Sequence, residues 1–484
     1  MFKFKESYLW YFLILSIFAL LLFFSGIGFK QLWKTDETRV AGISASMART
    51  GDYLMPKLNG EPFLEYPPMY YWATAVFYKE FGRSMFTSRL ASAICAFGAA
   101  LLLFILSKEM KFEPFYCFMS GVIISTCGQF WSVANRCLVD MMLCFFIISA
   151  MFCFYKIHES LSDNGKVTKN SIWIVLFILS LGFGILTKSL IGLAVPTCAI
   201  FFWLISECIW KKKVFFMSWT IFLISSVLSL VPGAIWLAEI CSKYGLKYAK
   251  TVAVENTIGR FSGSYSQHAN PAYYYLGKIP EQFLPWTVVL VVIVLLMIIY
   301  KKRLHFNSNV RFLLCWIIFP FILFAMSEGK RPVYLLPLYP AFAVLLSFLI
   351  WKSTGEIPIL VRYRWKNILF SVSRVLLVFF VVAGIMSGVL YNKKYTYYPL
   401  FKYYQKSECA QKPLYLYSNI ESMRGAINYY LNKDVPLIAT ENELKELIKK
   451  EKACVFTPFF RGIDAYGKVK TFKVKGDDWC ILEN

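Results

Sequence analysis

The chain has 484 residues, a formal net charge of +23 from 52 Lys+Arg against 29 Asp+Glu, and 58% hydrophobic but only 17% charged residues. About three in five side chains would have to avoid water on a mostly polar surface, which excludes an ordinary soluble enzyme. Aromatics at 18% with no heptad or Gly-X-Y period exclude a disordered chain, a coiled coil and collagen.

In chain order, apolar runs of membrane-spanning length recur near 8–29, 87–107, 113–132, 138–157, 171–187, 189–209, 214–238, 283–300, 311–327, 332–351 and 367–390. They predict a polytopic α-helical membrane protein of about eleven spans. The first run follows a basic start and lacks a small-residue cleavage site, so it reads as an uncleaved span. Short basic segments recur on one side: Lys3/Lys5, Lys108/Lys111, Lys156 to Lys169, Lys211 to Lys213, Lys301 to Arg303, and Arg362 to Lys366. The positive-inside rule makes that side cytoplasmic, and an odd span count then puts the C-terminus outside an inner membrane. The 13 cysteines lie mostly in apolar runs and form no Cys-x-x-Cys, which disfavours a zinc ribbon or a thioredoxin-type centre; any pairing of Cys409, Cys454 and Cys480 stays open.

Residues 1–390 are thus predicted to form the membrane domain, with outer loops at 30–86 and 239–282. Gly51 to Gly82 is too polar to span, and its Tyr and Trp density suits helices lying in the interface. Residues 391–484 read as a small extracytoplasmic α/β domain, with strands at 413–417, 435–439, 453–457, 469–474 and 479–482. Its helices fall at Ser422 to Leu431 and Glu441 to Lys450, the second with a Thr440/Glu443 capping box.

The remaining ionisable residues converge on outer loops and outer span ends, where charge is expensive and kept for function. Asp36 and Glu37 are candidate catalytic acids directly after the first span, with Arg39 one turn on as a phosphate-binding cation. The Pro-rich segment around Glu65 and Tyr66 must be a shaped loop. Tyr66, Arg136, Asp140, Glu255 and Arg260 are candidate substrate-pocket residues. Lys188, Lys330, Arg331 and Tyr334 are candidates for a phosphate ester entering from the lipid. Glu65 and His268 are a candidate pair for a divalent metal (zinc, magnesium or manganese).

The motifs around these residues are Asp36-Glu37 with Arg39, GDYLMPKLNGEPFLEYPPMYYW, Arg89 near a helix start, NRCLVD (135–140), LTKS (186–189), ENTIGRF (255–261) with HANPAYYYL (268–276), and GKRPVYLLPLYP (329–340). Together they resemble the GT-C membrane glycosyltransferases, in the group joining protein O-mannosyltransferases to the lipid A aminoarabinose transferases. The resemblance implies a polyprenyl-phosphate sugar donor of undecaprenyl type, an inverting transfer at the outer face, and a lipid A, glycan or protein acceptor. It also implies no nucleotide cofactor and no nucleic-acid partner. In its terms Asp36 sits beside the reacting centre, Arg39 and Tyr334 contact the donor phosphate, Lys188 and Lys330 lie near it, and Glu65 with His268 match the metal pair. The chain has Glu65-Tyr66-Pro67-Pro68 where aminoarabinose transferases usually show Glu-Lys-Pro-Pro, and Val40 where they show an aromatic. A polyprenyl-linked glycan flippase, with the same charges lining a path across the membrane, is the alternative reading.

Overall fold

The computed structural model describes residues 7–162, 170–252, 270–271, 273–299, 306–355, 359–392 and 394–484. Glu255, Arg260 and His268 lie outside these residues. The chain opens with α1 (Tyr8–Phe24), whose Ser7 cap accepts a hydrogen bond from the Trp10 amide. Between α1 and the next long helix lie α2 (Asp36–Thr50), a hairpin of β1 (Lys57–Leu58) and β2 (Glu61–Pro62), and α3 (Met69–Phe81). Gly51, at φ 72°, closes α2 in the left-handed conformation that a glycine adopts without strain.

The tyrosines of α3 do not serve as interface anchors. Tyr70 and Tyr78 turn inward onto Ser92 (2.7 Å) and Ser88 (2.8 Å), because a buried phenol needs a partner and the next helix supplies one. That helix is α4 (Met85–Glu109), followed by α5 (Pro114–Ser125), α6 (Gly128–Ala134), α7 (Val139–Ser162), α8 (Ser171–Lys188) and α9 (Ile191–Lys211). Then come α10 (Phe216–Leu228), α11 (Val231–Tyr244), α12 (Leu246–Lys250), α13 (Tyr274–Gln282), α14 (Trp286–Ile299), α15 (Ser308–Met326), α16 (Tyr339–Gly355) and α17 (Ile359–Tyr391).

Among the described residues eight helices are long and apolar enough to cross a membrane, or up to ten if each of two bent pairs is one span; α1 is a shorter apolar helix. The spans differ in burial: the apolar stretches of Pro332–Ser353 and α7 are 83% and 78% buried inside the protein, that of α17 only 17%. An integral membrane protein exposes apolar rather than polar side chains over such peripheral helices, as Val375, Val378 and Phe379 do here.

One predicted span is broken, and another is preceded by a bent helix. The run at 113–132 bends by 67° between α5 and α6, and α13, which lies before the predicted span at 283–300, meets α14 at 103°. The breaks satisfy one another: the Gly128 amide donates to the Leu284 carbonyl (2.8 Å) and the Trp286 indole to the Thr126 hydroxyl (2.9 Å). Free backbone groups at this depth are tolerated only with such partners. The predicted span at 332–351 begins as a 3-10 helix, Pro332–Leu338. Pro332, Pro337 and Pro340 bring no amide donors, so a regular α-ladder cannot start there.

Residues beyond α17 form α18 (Tyr398–Lys406), α19 (Glu421–Leu431), α20 (Glu441–Lys450) and a four-stranded sheet. Its strands β3 (Leu414–Leu416), β4 (Cys454–Pro458), β5 (Lys468–Val474) and β6 (Asp477–Glu483) lie in the order β3-β4-β6-β5, with β3 parallel to β4 and the other pairs antiparallel. The predicted strand at 435–439 is reduced to one bridge, Leu437 to Leu416, since Pro436 cannot donate to a ladder. The Thr440 hydroxyl caps α20 through the Glu443 amide (3.3 Å), while the Glu443 carboxylate reaches the Ala439 amide (2.9 Å), one residue earlier than a capping box requires.

Candidate active site

The start of α2 is fixed by a buried ion pair. Glu37 and Arg89 are both fully buried. One Glu37 oxygen accepts from Arg89 Nε (2.9 Å) and the Cys137 amide (2.8 Å), the other from the Trp33 amide (2.8 Å) and Arg89 Nη2 (3.2 Å). Arg89 spends its remaining donors on the carbonyls of Ile27, Lys30 and Gln31, so every N–H of the guanidinium is used. Burial alone would raise the Glu37 carboxyl, but Arg89 and then Lys30 outweigh it and hold it at about 2. Glu37 therefore stands apart from the cleft. It ties three segments together: the end of the α1–α2 loop, α4, and the 135–138 turn that carries Arg136.

Asp36, one position earlier, faces the other way. Its Oδ1 lies 2.6 Å from Arg39 Nη2 and its Oδ2 2.9 Å from Arg331 Nη2. Burial pushes the Asp36 carboxyl up, and Arg331, Arg39 and Arg136 together bring it below its ordinary value. Both paired arginines are held more firmly protonated than usual, because the neighbouring carboxylates outweigh the cost of burial. Arg39 Nη1 also contacts Glu65 (2.7 Å) and Glu421 of α19 (2.6 Å).

These groups border a cavity of about 250 Å³ lined by Asp36, Arg39, Tyr66, Arg136, Asp140 and Arg331, with Gln129, Val133, Leu138 and Val333 among the other walls. The Arg136 guanidinium stacks 4.8 Å over the Trp33 ring. The buried Nε groups of Arg39 and Arg136 have no hydrogen-bond partner among the described residues. Several guanidinium groups on the wall of one cavity suit an anion with several acceptor oxygens.

Lys188 adjoins the cavity from the last turn of α8, where it pairs with Asp140 and lies 4.8 Å and 5.6 Å from the ring centres of Tyr334 and Tyr66. Its position depends on a sharp reversal between α8 and α9. A Cβ on Gly192 would meet the Gly184 carbonyl carbon at 2.1 Å, so the two backbones touch where no side chain fits. Lys330 is buried, and its ammonium turns back onto the Ser327 carbonyl; it is not part of the cavity wall.

The metal pair is not assembled by the described residues. Glu65 is engaged by Arg39, His268 lies outside the described residues, and no group of three His, Cys, Asp or Glu that could hold a metal occurs among the described residues.

Residues 8–241 match the family described as Dolichyl-phosphate-mannose-protein mannosyltransferase. An undecaprenyl phosphate-alpha-4-amino-4-deoxy-L-arabinose arabinosyl transferase of Erwinia tasmaniensis is 30% identical over 390 residues, covering 80% of this chain and 68% of the relative. The chain belongs to this family of GT-C membrane glycosyltransferases. A transferase of the same name from Enterobacter sp. is 28% identical over 383 residues, 79% of this chain and 67% of the relative. ArnT from Cupriavidus metallidurans, solved with bound undecaprenyl phosphate, shares the fold at a TM-score of 0.77 over 97% of both chains with 16% identity. The archaeal oligosaccharyltransferase AglB from Archaeoglobus fulgidus shares it at 0.58, over 94% of this chain and 70% of that one, with 11% identity.

Arg89 and Glu421 were not among the site residues read from sequence. Arg89 carries a detectable signal, a guanidinium inside an otherwise apolar helix. Glu421 carries none, because 382 positions separate it from Arg39.

Proposed function

We propose that this glycosyltransferase moves a sugar from undecaprenyl phosphate to an acceptor at the outer face of the inner membrane, with inversion at the anomeric carbon. Lipid A is the first acceptor to test, and other glycans and proteins come next. The observation that carries this reading is the ionised Asp36 held between Arg39 and Arg331 on the wall of a cavity that Arg136 also lines. That cavity is on the scale of a phosphorylated monosaccharide rather than of a lipid tail.

In the transfer an acceptor oxygen forms a bond to the anomeric carbon from one face while the bond to the phosphate oxygen breaks on the other. The leaving phosphate gains negative charge in a poorly hydrated crevice, where fixed guanidinium groups stabilise it more than water would. Arg136 and Arg39 present donors for it, and Lys188 stands at the adjoining wall. Asp36 stays anionic across neutral pH. It orients the acceptor, takes the proton of a hydroxyl acceptor as attack proceeds, and offsets positive charge at the anomeric carbon. The related transferases named for undecaprenyl phosphate and the undecaprenyl phosphate seen in a structure of the same fold support the donor class. A transporter would place its charges along the spans; here Asp140 lies in the first turn of α7 and Lys188 in the last turn of α8.

The test is incubation of the purified protein with undecaprenyl phosphate carrying 4-amino-4-deoxy-L-arabinose and with lipid A, read by mass spectrometry of both lipids. Sugar on the acceptor with free undecaprenyl phosphate released supports the reading. An unchanged donor with every acceptor class, at full protein integrity, contradicts it.

A further inference from the structure

The C-terminal sheet domain reaches the site through a side chain of its helix α19. Its helix α19 crosses α2 with the backbones in contact. A Cβ on Gly42 would meet the Gly425 carbonyl oxygen at 2.3 Å, and one on Gly425 would meet the Thr38 carbonyl oxygen at 2.4 Å and Arg39 Cα at 2.8 Å. The closest approaches are at Gly42 and Thr38, and the Arg39 backbone lies within the same contact. One turn before Gly425, Glu421 opens α19 and sets its carboxylate 2.6 Å from Arg39 Nη1. Arg39 is thus bracketed by three acids from three segments: Asp36 on its own helix, Glu65 on the loop before α3, and Glu421 from the far end of the chain.

Glu421 is not needed to hold the two parts together. Arg49 at the end of α2 pairs with Asp434 (2.6 Å), and Arg424 donates to the Leu58 carbonyl (2.8 Å). The Asn59 amide donates to the Asn428 side chain (2.7 Å), and the Asn59 side chain to the Val435 carbonyl (2.9 Å). Glu421 itself is 47% exposed, against 13% for Arg39. An exposed acid spent on a mostly buried cation that is already paired twice adds little to stability; its effect is on where that cation sits and how much charge it shows to an anion.

We propose that Glu421 is a positioning residue of the transferase site. It fixes Arg39 against Asp36 and tempers the guanidinium's pull on the donor phosphate, so that the site holds the phosphate without trapping it after transfer. The inference rests on the transferase reading above.

Two readouts separate positioning from docking: kcat for transfer, and affinity for undecaprenyl phosphate in nanodiscs. In Glu421→Ala, Arg39 loses one of its three clamps and kcat falls on the order of 10-fold. Removing the acid's charge also tightens undecaprenyl phosphate binding by roughly 3-fold. Glu421→Gln keeps an oxygen for Arg39 and so recovers most of kcat, while the tighter binding persists because the charge is gone. Asp434→Ala breaks the Arg49 pair on the same interface and leaves both quantities as in the wild type. Glu421→Ala with kcat and affinity within 2-fold of wild type would overturn the proposal, and so would an equal kcat loss in Asp434→Ala. A wild type that transfers while the Glu421 variants match it refutes only this inference. A wild type that neither transfers nor binds undecaprenyl phosphate refutes the transferase reading and this inference with it.

Discussion

Replacing Glu37 by Gln tests whether the acid beside Asp36 is structural. In the native site each Glu37 oxygen accepts two hydrogen bonds, one from Arg89 and one from a backbone amide. A glutamine turns one oxygen into an NH2 group, so whichever way it flips, one Arg89 donor and one amide face another donor. Leaving a buried donor unpaired costs about 1–3 kcal/mol, and removing one partner of a buried ion pair about 3–5 kcal/mol in all. The lowered carboxyl reflects the same pairing with Arg89. A carboxyl held at about 2 instead of its ordinary 4.5 stabilises the folded chain by about 3 kcal/mol at neutral pH. The sign follows from the depressed value: the contribution is complete above pH 4.5 and fades as pH falls toward 2. The assay is thermal unfolding of the detergent-solubilised protein at pH 7, and again near pH 3, where part of the wild-type advantage has gone. Glu37→Gln should unfold well below the wild type at pH 7, with a smaller gap at pH 3. An unfolding temperature equal to wild type at pH 7 would refute the structural assignment, and lost transfer with stability intact would return Glu37 to the chemistry.

Other outcomes follow from the same geometry. Arg136→Ala should weaken undecaprenyl phosphate binding by on the order of 10-fold, as expected for a charge-assisted contact, with protein yield unchanged; equal affinity would place the phosphate elsewhere. Arg39→Lys keeps the charge but cannot reach Asp36, Glu65 and Glu421 together, so it should lower turnover, and Arg39→Ala should lower it further. Gly192→Leu should abolish folding or transfer, because its Cβ would overlap the Gly184 backbone and displace Lys188; normal yield and activity would contradict that account. A reporter fused after Tyr391 should read as extracytoplasmic, and a cytoplasmic signal would overturn the proposed orientation.

Helical spans were legible in the sequence because hydropathy is a local property summed over many residues. The breaks at Thr126–Gly128 and before Trp286 were not, since each hydrogen-bonds to the other across 155 or more positions of sequence. Asp36, Arg39, Tyr66, Arg136, Asp140 and Arg331, picked out as charged or phenolic groups in outer loops and at span ends, are gathered around one cavity. Pairing Glu37 with Asp36 as a second catalytic acid overlooked helix geometry. Adjacent residues on a helix point in different directions, so the two acids do not share a face. Lys330 shows the opposite limit: its place in a basic Pro-rich motif was visible, but its turn back onto Ser327 depends on the local fold. Glu421 depends on a contact between distant segments, which no local pattern records.

The most direct test of the central claim is transfer from an undecaprenyl-phosphate-linked sugar by wild type and Asp36→Asn side by side, with undecaprenyl phosphate binding measured on both. The wild type should transfer, and the variant should lose on the order of 10²-fold or more in rate, because the amide keeps the shape but neither the charge nor the basicity. Binding should be retained, since Arg39 and Arg136 remain. Wild-type turnover by Asp36→Asn would contradict it.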